Sequence, residues 1–299
     1  MSTIQISPTA IWKDLVNPSL DEVNAVIERF GFHELDREAI LEENQYARID
    51  TYDDYLFLVL HFPKYEPMTE RYIHNEFNIF ISKTYLLSFR YYNNSNVRDL
   101  RTEYEKKVWE DTNTSTGFLL YELLESMLDK VMRMLEQFGK DLRSLEHTLF
   151  TGEGSRVIQS IMVKKRNIIT LKHMMKPQIA VLKMLETRMN MLFDGEIELY
   201  FENLEDKLDK IFSEIELLQE NIDSMEDTLK SLFEFKTNTT MKYFTLFSAI
   251  MLPLTVVTGF FGMNIKQATF ENWIIGIALF CTFFLISAVM YYLFRVKKI

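Results

Sequence analysis

Close to its C-terminal end the chain reads Phe261-Gly262-Met263-Asn264. An asparagine side chain offers an amide oxygen that accepts hydrogen bonds from coordinated water without gripping a cation tightly. That suits a divalent ion that sheds its water reluctantly, because such an ion is easier to hold hydrated than stripped. Met263 is a packing residue rather than a ligand, since sulfur is a poor partner for a hard cation. Gly262, lacking a Cβ, lets the chain turn closely behind it. Upstream, Ser248, Leu252, Thr255, Gly259 and Gly262 recur at steps of four and three. On a helix they share one narrow face of small or weakly polar groups with one leucine. Such a face either lines a pore or lets neighbouring helices approach closely.

The elements that must position these residues are apolar. Residues 241–261 and 273–294 form two runs in which Lys242 is the only charge. Each is long enough to cross a hydrocarbon core, which takes about 20 residues of helix. Pro253 is tolerable in such a helix, where neighbours satisfy the freed carbonyl. The short connection, 262–272, makes the pair an antiparallel hairpin. Lys230, Lys236 and Lys242 precede the first run, and Arg295, Lys297 and Lys298 follow the second. The connection carries only Lys266, offset by Glu271. Basic residues stay on the cytoplasmic side. A multi-pass protein of the cell membrane, with both termini in the cytoplasm, is therefore expected. Trp273, Tyr291 and Tyr292 stand where interfacial anchors belong.

Behind the first run lies a long helical region. Ile197, Phe201, Leu204, Leu208, Ile211, Ile215, Leu218, Ile222, Met225, Leu229 and Leu232 alternate steps of four and three without a gap. This is a heptad seam, the mark of a long helix packed against other helices. With no Gly or Pro between seam and apolar run, residues 196–261 read as one helix, about 100 Å long at 1.5 Å per residue. Two further helices precede it, 115–149 and 155–193. Charge is segregated between the last two. Residues 196–236 hold thirteen acids against four bases, and 155–190 hold eight bases against Glu186 alone. Two faces that attract each other, or an acidic stalk that concentrates cations near a pore, both account for this.

The first 114 residues read as mixed α/β. Ser19-Leu-Asp-Glu22 is a capping box that opens a helix to about Arg29. A short helix is expected over 36–44. Residues 55–62, 72–81 and 85–89 are rich in aromatic and β-branched side chains and read as strands. Asn93 to Asn96 breaks the pattern before a new helix. The expected organisation is thus an α/β domain (1–114), a long-helix region with the stalk (115–240) and a transmembrane hairpin (241–299), an α+β membrane protein.

Composition excludes other classes. A net charge of −10 argues against nucleic acid as a partner, because phosphate binding needs basic surface. The single Cys281 cannot form an intrachain disulfide. No basic start followed by an apolar run opens the chain, so no signal peptide is expected. No phosphate-binding loop or paired-Cys motif is present, and His33, His61, His74, His147 and His173 lack metal-ligand spacing. Neither enzymatic activity nor an organic cofactor is expected.

Gly-Met-Asn after a proline-bearing apolar run, then a short loop and a second run ending in basic residues, resembles the CorA family of magnesium transporters. Lys236-Thr-Asn-Thr-Thr-Met-Lys242 and Met251-Leu-Pro-Leu-Thr255 are also similar to members of that family. The resemblance implies a homopentameric funnel with five stalk helices around a pore. It makes Gly262, Met263 and Asn264 the selectivity motif at the outer mouth. It places Asn238, Met241 and Phe244 at the cytosolic entrance, ahead of the pore face Ser248, Leu252, Thr255 and Gly259. It also implies closure by intracellular Mg2+ bound between subunits, at positions matching Glu66 and Asn203, with Glu202 or Glu205 as substitutes. There are departures. Phe261 stands where members usually have Tyr, the outer loop has only Glu271, and Asn203 replaces an acid. A zinc-transporting branch replaces the Met of the motif, so Met263 favours magnesium. The alternatives are a zinc, cobalt or nickel transporter of the same architecture, or a non-conducting membrane-tethered scaffold or receptor.

Overall fold

The computed structural model describes residues 3–42, 45–106, 115–149, 154–193, 197–262 and short stretches between 276 and 292. The chain divides into two compact units, Met1–Glu226 and Asp227–Ile299.

The first unit begins with strands β1 (Thr3–Ser7) and β2 (Ala10–Val16), then helices α1 (Leu20–Phe30) and α2 (Glu34–Leu41). Strands β3 (Arg48–Thr51), β4 (Leu56–Glu66), β5 (Arg71–Ile81) and β6 (Tyr85–Arg90) follow, and helix α3 (Ser95–Lys106) closes the domain. The strands make one sheet in the order β1-β2-β6-β5-β4-β3. Only β2 and β6 run parallel; the other neighbours are antiparallel. The α1 capping box forms: Ser19 Oγ accepts from the Glu22 amide at 3.3 Å, and the Ser19 amide donates to the Glu22 carboxylate at 2.8 Å. Gly31, at φ 69°, ends the helix in the left-handed conformation that a Cβ would disfavour.

Every residue of β4 from Leu56 to Phe62 is buried, as expected of a strand covered on both faces. Phe57 and Val59 pack with Val23, Val26, Ile40, Phe80 and Phe89 under α1 and α2. Leu58 and Leu60 alternate to the opposite side. Strands β1 and β2 were not anticipated. Asp14 hid β2, because it occupies a buried position and is neutralised there by Arg90 at 2.7 Å. A charge at a core-facing position breaks the apolar alternation by which a strand is read.

Three long helices follow: α4 (Thr116–Leu149), α5 (Gly154–Leu192) and α6 (Glu198–Gly262). The expected stop at 151–153 and the residues 194–196 lie outside the described residues. Pro177 sits inside α5. Gln178 of α5 acts as a substitute strand neighbour. Strand β3 pairs with β4 only from Leu56 to Val59. Beyond that, the Gln178 side chain accepts from the His61 amide at 3.1 Å and donates to the His61 carbonyl at 2.7 Å. Two buried backbone groups are thereby satisfied.

The seam of α6 is buried from Ile197 to Leu229, and Leu232 is half-buried. Its burial is achieved within one chain. A Cβ on Gly117 of α4 would come within 2.7 Å of Ile197, and one on Gly139 within 3.4 Å of Leu218. The pairs Tyr121–Asn203 and Glu125–Lys207 are both 82 residues apart, so α4 and α6 run parallel. The α5 contacts with α6 run the opposite way. In the second unit, α6 continues to Gly262 with Pro253 inside it.

Candidate functional site

Asn238, Met241, Phe244, Ser248, Leu252, Thr255, Gly259 and Gly262 all lie on α6 and are exposed. Nothing would meet a Cβ within 4 Å at Gly259 or Gly262. Three threonine hydroxyls of this stretch are turned onto their own helix: Thr245 donates to the Met241 carbonyl, Thr255 to Met251 and Thr258 to Leu254, at 2.8–2.9 Å. Each proton is thus committed to the backbone, and the oxygen lone pairs remain available as acceptors. Met263 and Asn264 lie outside the described residues. Among the described residues no helix is long and apolar enough to cross a membrane. The side chains of Val257, Phe260 and Phe261 and residues 263–275 are outside that set, so the two expected spans rest on the sequence.

The acidic stretch of α6 meets the basic stretch of α5 in register. Lys165 pairs with Asp223 and Glu226, at 2.9 and 2.5 Å. Seven residues on, Lys172 meets Glu216 at 3.1 Å, and eleven further on, Lys183 meets Glu205 at 2.9 Å. Seven back and eleven back along α6 give those same acids, as an antiparallel pair requires. Hydrogen bonds from Lys165 to Glu226 and Asp223 push its ammonium above the usual lysine range. On the other side, Lys207 of α6 meets Glu125 at 3.1 Å and Asp129 at 2.7 Å, both on α4. The segregation of charge therefore matches the pairing of the helices: the acids of α6 meet the bases of α5, and Lys207 of α6 meets the acids of α4.

The positions matched to a regulatory metal are separately engaged. Glu66 is half-buried at the end of β4, and its carboxylate accepts from the Thr69 hydroxyl at 2.6 Å. Asn203 is exposed on α6, and its amide donates to the Tyr121 hydroxyl at 3.2 Å. Burial and a hydrogen bond to Glu125 raise the Tyr121 phenol above its ordinary value, against the opposing effect of Asn203. Glu202 is exposed. It crowds Glu186, whose carboxyl is raised by burial first and then by Glu205, Glu202 and Glu198. Among the described residues no group of three or more His, Cys, Asp or Glu side chains could hold a metal ion.

Two arrangements escaped sequence reasoning. His61 and His74, on paired strands, have ring centroids 5.4 Å apart, and His61 lies 3.5 Å from buried Glu76. Burial lowers the His74 imidazole, as does His61, against the pull of Glu76. The cross-strand register His61↔Glu76 makes this cluster, and no sequence spacing announces it. The lysine ladder did leave a signal, the matched intervals of seven and eleven on two consecutive helices.

The family model described as CorA-like Mg2+ transporter protein matches residues 8–298. The cobalt/magnesium transport protein CorA of Thermotoga maritima is 25% identical over 300 residues, covering 98% of this chain and 84% of that protein. The zinc transport protein ZntB of Photorhabdus laumondii is 22% identical over 226 residues, covering 74% of this chain and 66% of that one. The complete structure of the CorA magnesium transporter from Methanocaldococcus jannaschii matches with a TM-score of 0.81 at 22% identity, covering 96% of this chain and 90% of that one. At that identity the likeness is one of fold. With the family model spanning almost its whole length, this chain belongs to the CorA-like Mg2+ transporter family, a family of divalent-cation transporters rather than enzymes.

Proposed function

We propose that the chain forms a homopentameric pore that conducts magnesium across the cell membrane, with both termini in the cytoplasm. The observation that carries this reading is the continuity of α6. A single helix runs from the acidic residues laddered onto α5 to Gly262, bearing every candidate pore residue but the last two. Residues 241–261 and 273–294 are the proposed spans, and lipid surrounds them. Mg2+ is the cargo and stays hydrated. Asn264 from each copy presents an amide oxygen to its water, and Gly262 and Met263 shape the turn that aims it. Along the helix, Ser248 and Thr255 face the ion's water. The Thr255 proton is occupied by the Met251 carbonyl, which leaves an acceptor for water that itself donates. Near the cytosolic end, rings of Met241 and Phe244 next to Asn238 gate by excluding water when narrow.

Regulation by cytosolic Mg2+ is weak in this proposal. Asn203 brings an amide rather than a charge, and one of its two amide hydrogens is donated to Tyr121. Replacing a carboxylate by an amide removes a unit of negative charge from a site that would hold a divalent ion chiefly by charge. A zinc, cobalt or nickel transporter is the nearer alternative, favoured by the similarity to the zinc transport protein ZntB. Reconstitution into liposomes separates these. Magnesium flux exceeding that of cobalt, nickel and zinc is expected, through an assembly whose native mass in detergent is that of five copies. Zinc flux dominating, no flux of any ion, or an assembly of one or two copies would overturn the proposal in its respective part.

A further inference from the structure

In a chain with ten more acids than bases, one cleft of the first unit is basic. It opens between β5, the Tyr91–Tyr92 segment and α5, with a volume of about 430 Å³. Arg71 and Arg166 both line it, and neither forms an ion pair among the described residues. Arg166 reaches only the carbonyls of Thr69 and Glu70, at 3.5 and 3.4 Å, and its Nε is buried with no acceptor. A buried Nε–H without an acceptor is costly, and a further acceptor arriving there would satisfy it. Glu76, the one acid on the lining, is committed elsewhere. It accepts from the Gln45 amide at 3.0 Å and from the Asn78 side chain at 2.9 Å, and it faces His61. A third cation stands nearby, the Lys64 ammonium 3.6 Å from the centre of the Tyr92 ring.

We propose that this cleft binds a nucleotide, with Arg71 and Arg166 holding the phosphate and the tyrosine rings receiving the base. Two planar guanidinium groups lining one space suit bidentate recognition of phosphate oxygens. A cation would be repelled there, so the cleft is not a further station for the transported ion. Its size is that of pockets which enclose small organic ligands, about 300–1,000 Å³, well beyond an inorganic phosphate ion. Tyr72, Tyr91 and Tyr92 supply flat apolar surface for a base. Tyr72, pushed up to about 12 by burial, keeps its phenolic proton at neutral pH and remains a donor. Because Arg71 belongs to β5 and Arg166 to α5, an occupant would tie the sheet to the helix that carries the lysine ladder. The proposal is independent of ion transport.

The test is calorimetric titration of the full-length protein in detergent, without added divalent ions, using AMP, ATP, adenosine and inorganic phosphate. Saturable binding of AMP and ATP is expected, with adenosine and phosphate each at least tenfold weaker. Arg71→Gln and Arg166→Gln should each weaken AMP binding tenfold or more. Arg98→Gln, at an exposed arginine of α3 away from the cleft, should leave it unchanged. Should Arg166→Gln fold poorly, the exposed Arg71 variant carries the test alone. Absence of saturable nucleotide binding, or AMP binding indifferent to Arg71→Gln, overturns the proposal. Phosphate binding as tightly as AMP overturns the role of the tyrosines, and adenosine binding as tightly overturns the role of the arginines.

Discussion

Asn203 of α6 donates its side-chain amide to the hydroxyl of Tyr121 of α4, 3.2 Å away. The position matched to a regulatory metal ligand thus serves as a brace between two helices of the same chain. One helical turn on, Lys207 repeats the brace with Glu125 and Asp129.

Restoring an acid at this position is expected to strengthen the response to magnesium. Asn203→Asp removes the donor to Tyr121 and adds a charge beside exposed Glu202 and Asp206, so the variant should melt slightly lower than wild type without Mg2+. With millimolar Mg2+ the order should reverse, and the midpoint for protection from proteolysis should move to lower concentration. An unchanged midpoint, combined with loss of protection in Glu66→Ala, would mean that position 203 is not the weak point of the site.

Asn264→Ala should abolish or strongly reduce magnesium flux in liposomes while the native mass of the assembly stays the same. The amide oxygen is the group suited to hydrated ions at the proposed mouth, and alanine offers no replacement. Wild-type flux from a correctly assembled variant would sink the pore model.

The helix layer should depend far more on the seam than on the ladder. Leu208→Ala, at a residue 1% exposed, is expected to cost about 2–5 kcal/mol. The Lys172–Glu216 pair is partly exposed on both sides, and a double-mutant cycle should give a coupling of only about 0.2–1 kcal/mol, shrinking with added salt. Chemical denaturation of wild type, Leu208→Ala, the two single mutants of the pair and their double mutant checks both magnitudes. A ladder coupling as large as the seam effect would contradict this account.

Glu186→Gln should stabilise the protein at neutral pH. Burial, Glu205, Glu202 and Glu198 hold the Glu186 carboxyl above its ordinary value of 4.5. The folded state therefore binds its proton more tightly than the unfolded chain, and stability falls as pH rises from the ordinary value through the folded one. Above that window the ionised carboxylate carries its full cost; below it the cost is absent. Thermal unfolding should show the variant ahead at pH 7 and level with wild type near pH 4. Equal melting at both values would mean that the carboxylates do not crowd Glu186.

The sequence by itself determined the elements whose signals are local. The heptad seam makes α6 a helix, because four-and-three periodicity depends only on its own residues. The aromatic and β-branched runs mark β4, β5 and β6, and the α1 capping box forms as its four residues specify. The apolar runs and the Gly-Met-Asn motif point to the family that the comparison established over residues 8–298. What only the tertiary structure decided is who meets whom. The seam of α6 announces that it needs a partner and not that α4 of the same chain meets it at Ile197 and Leu218. Opposite charge on two helices announces attraction, whereas the pairing of Lys172 with Glu216 rather than a neighbour depends on the antiparallel register fixed by packing. Asp14 in β2 and Arg166 at the basic cleft are legible only once residues distant in sequence share a space, because the cost of burying a charge is set by what surrounds it.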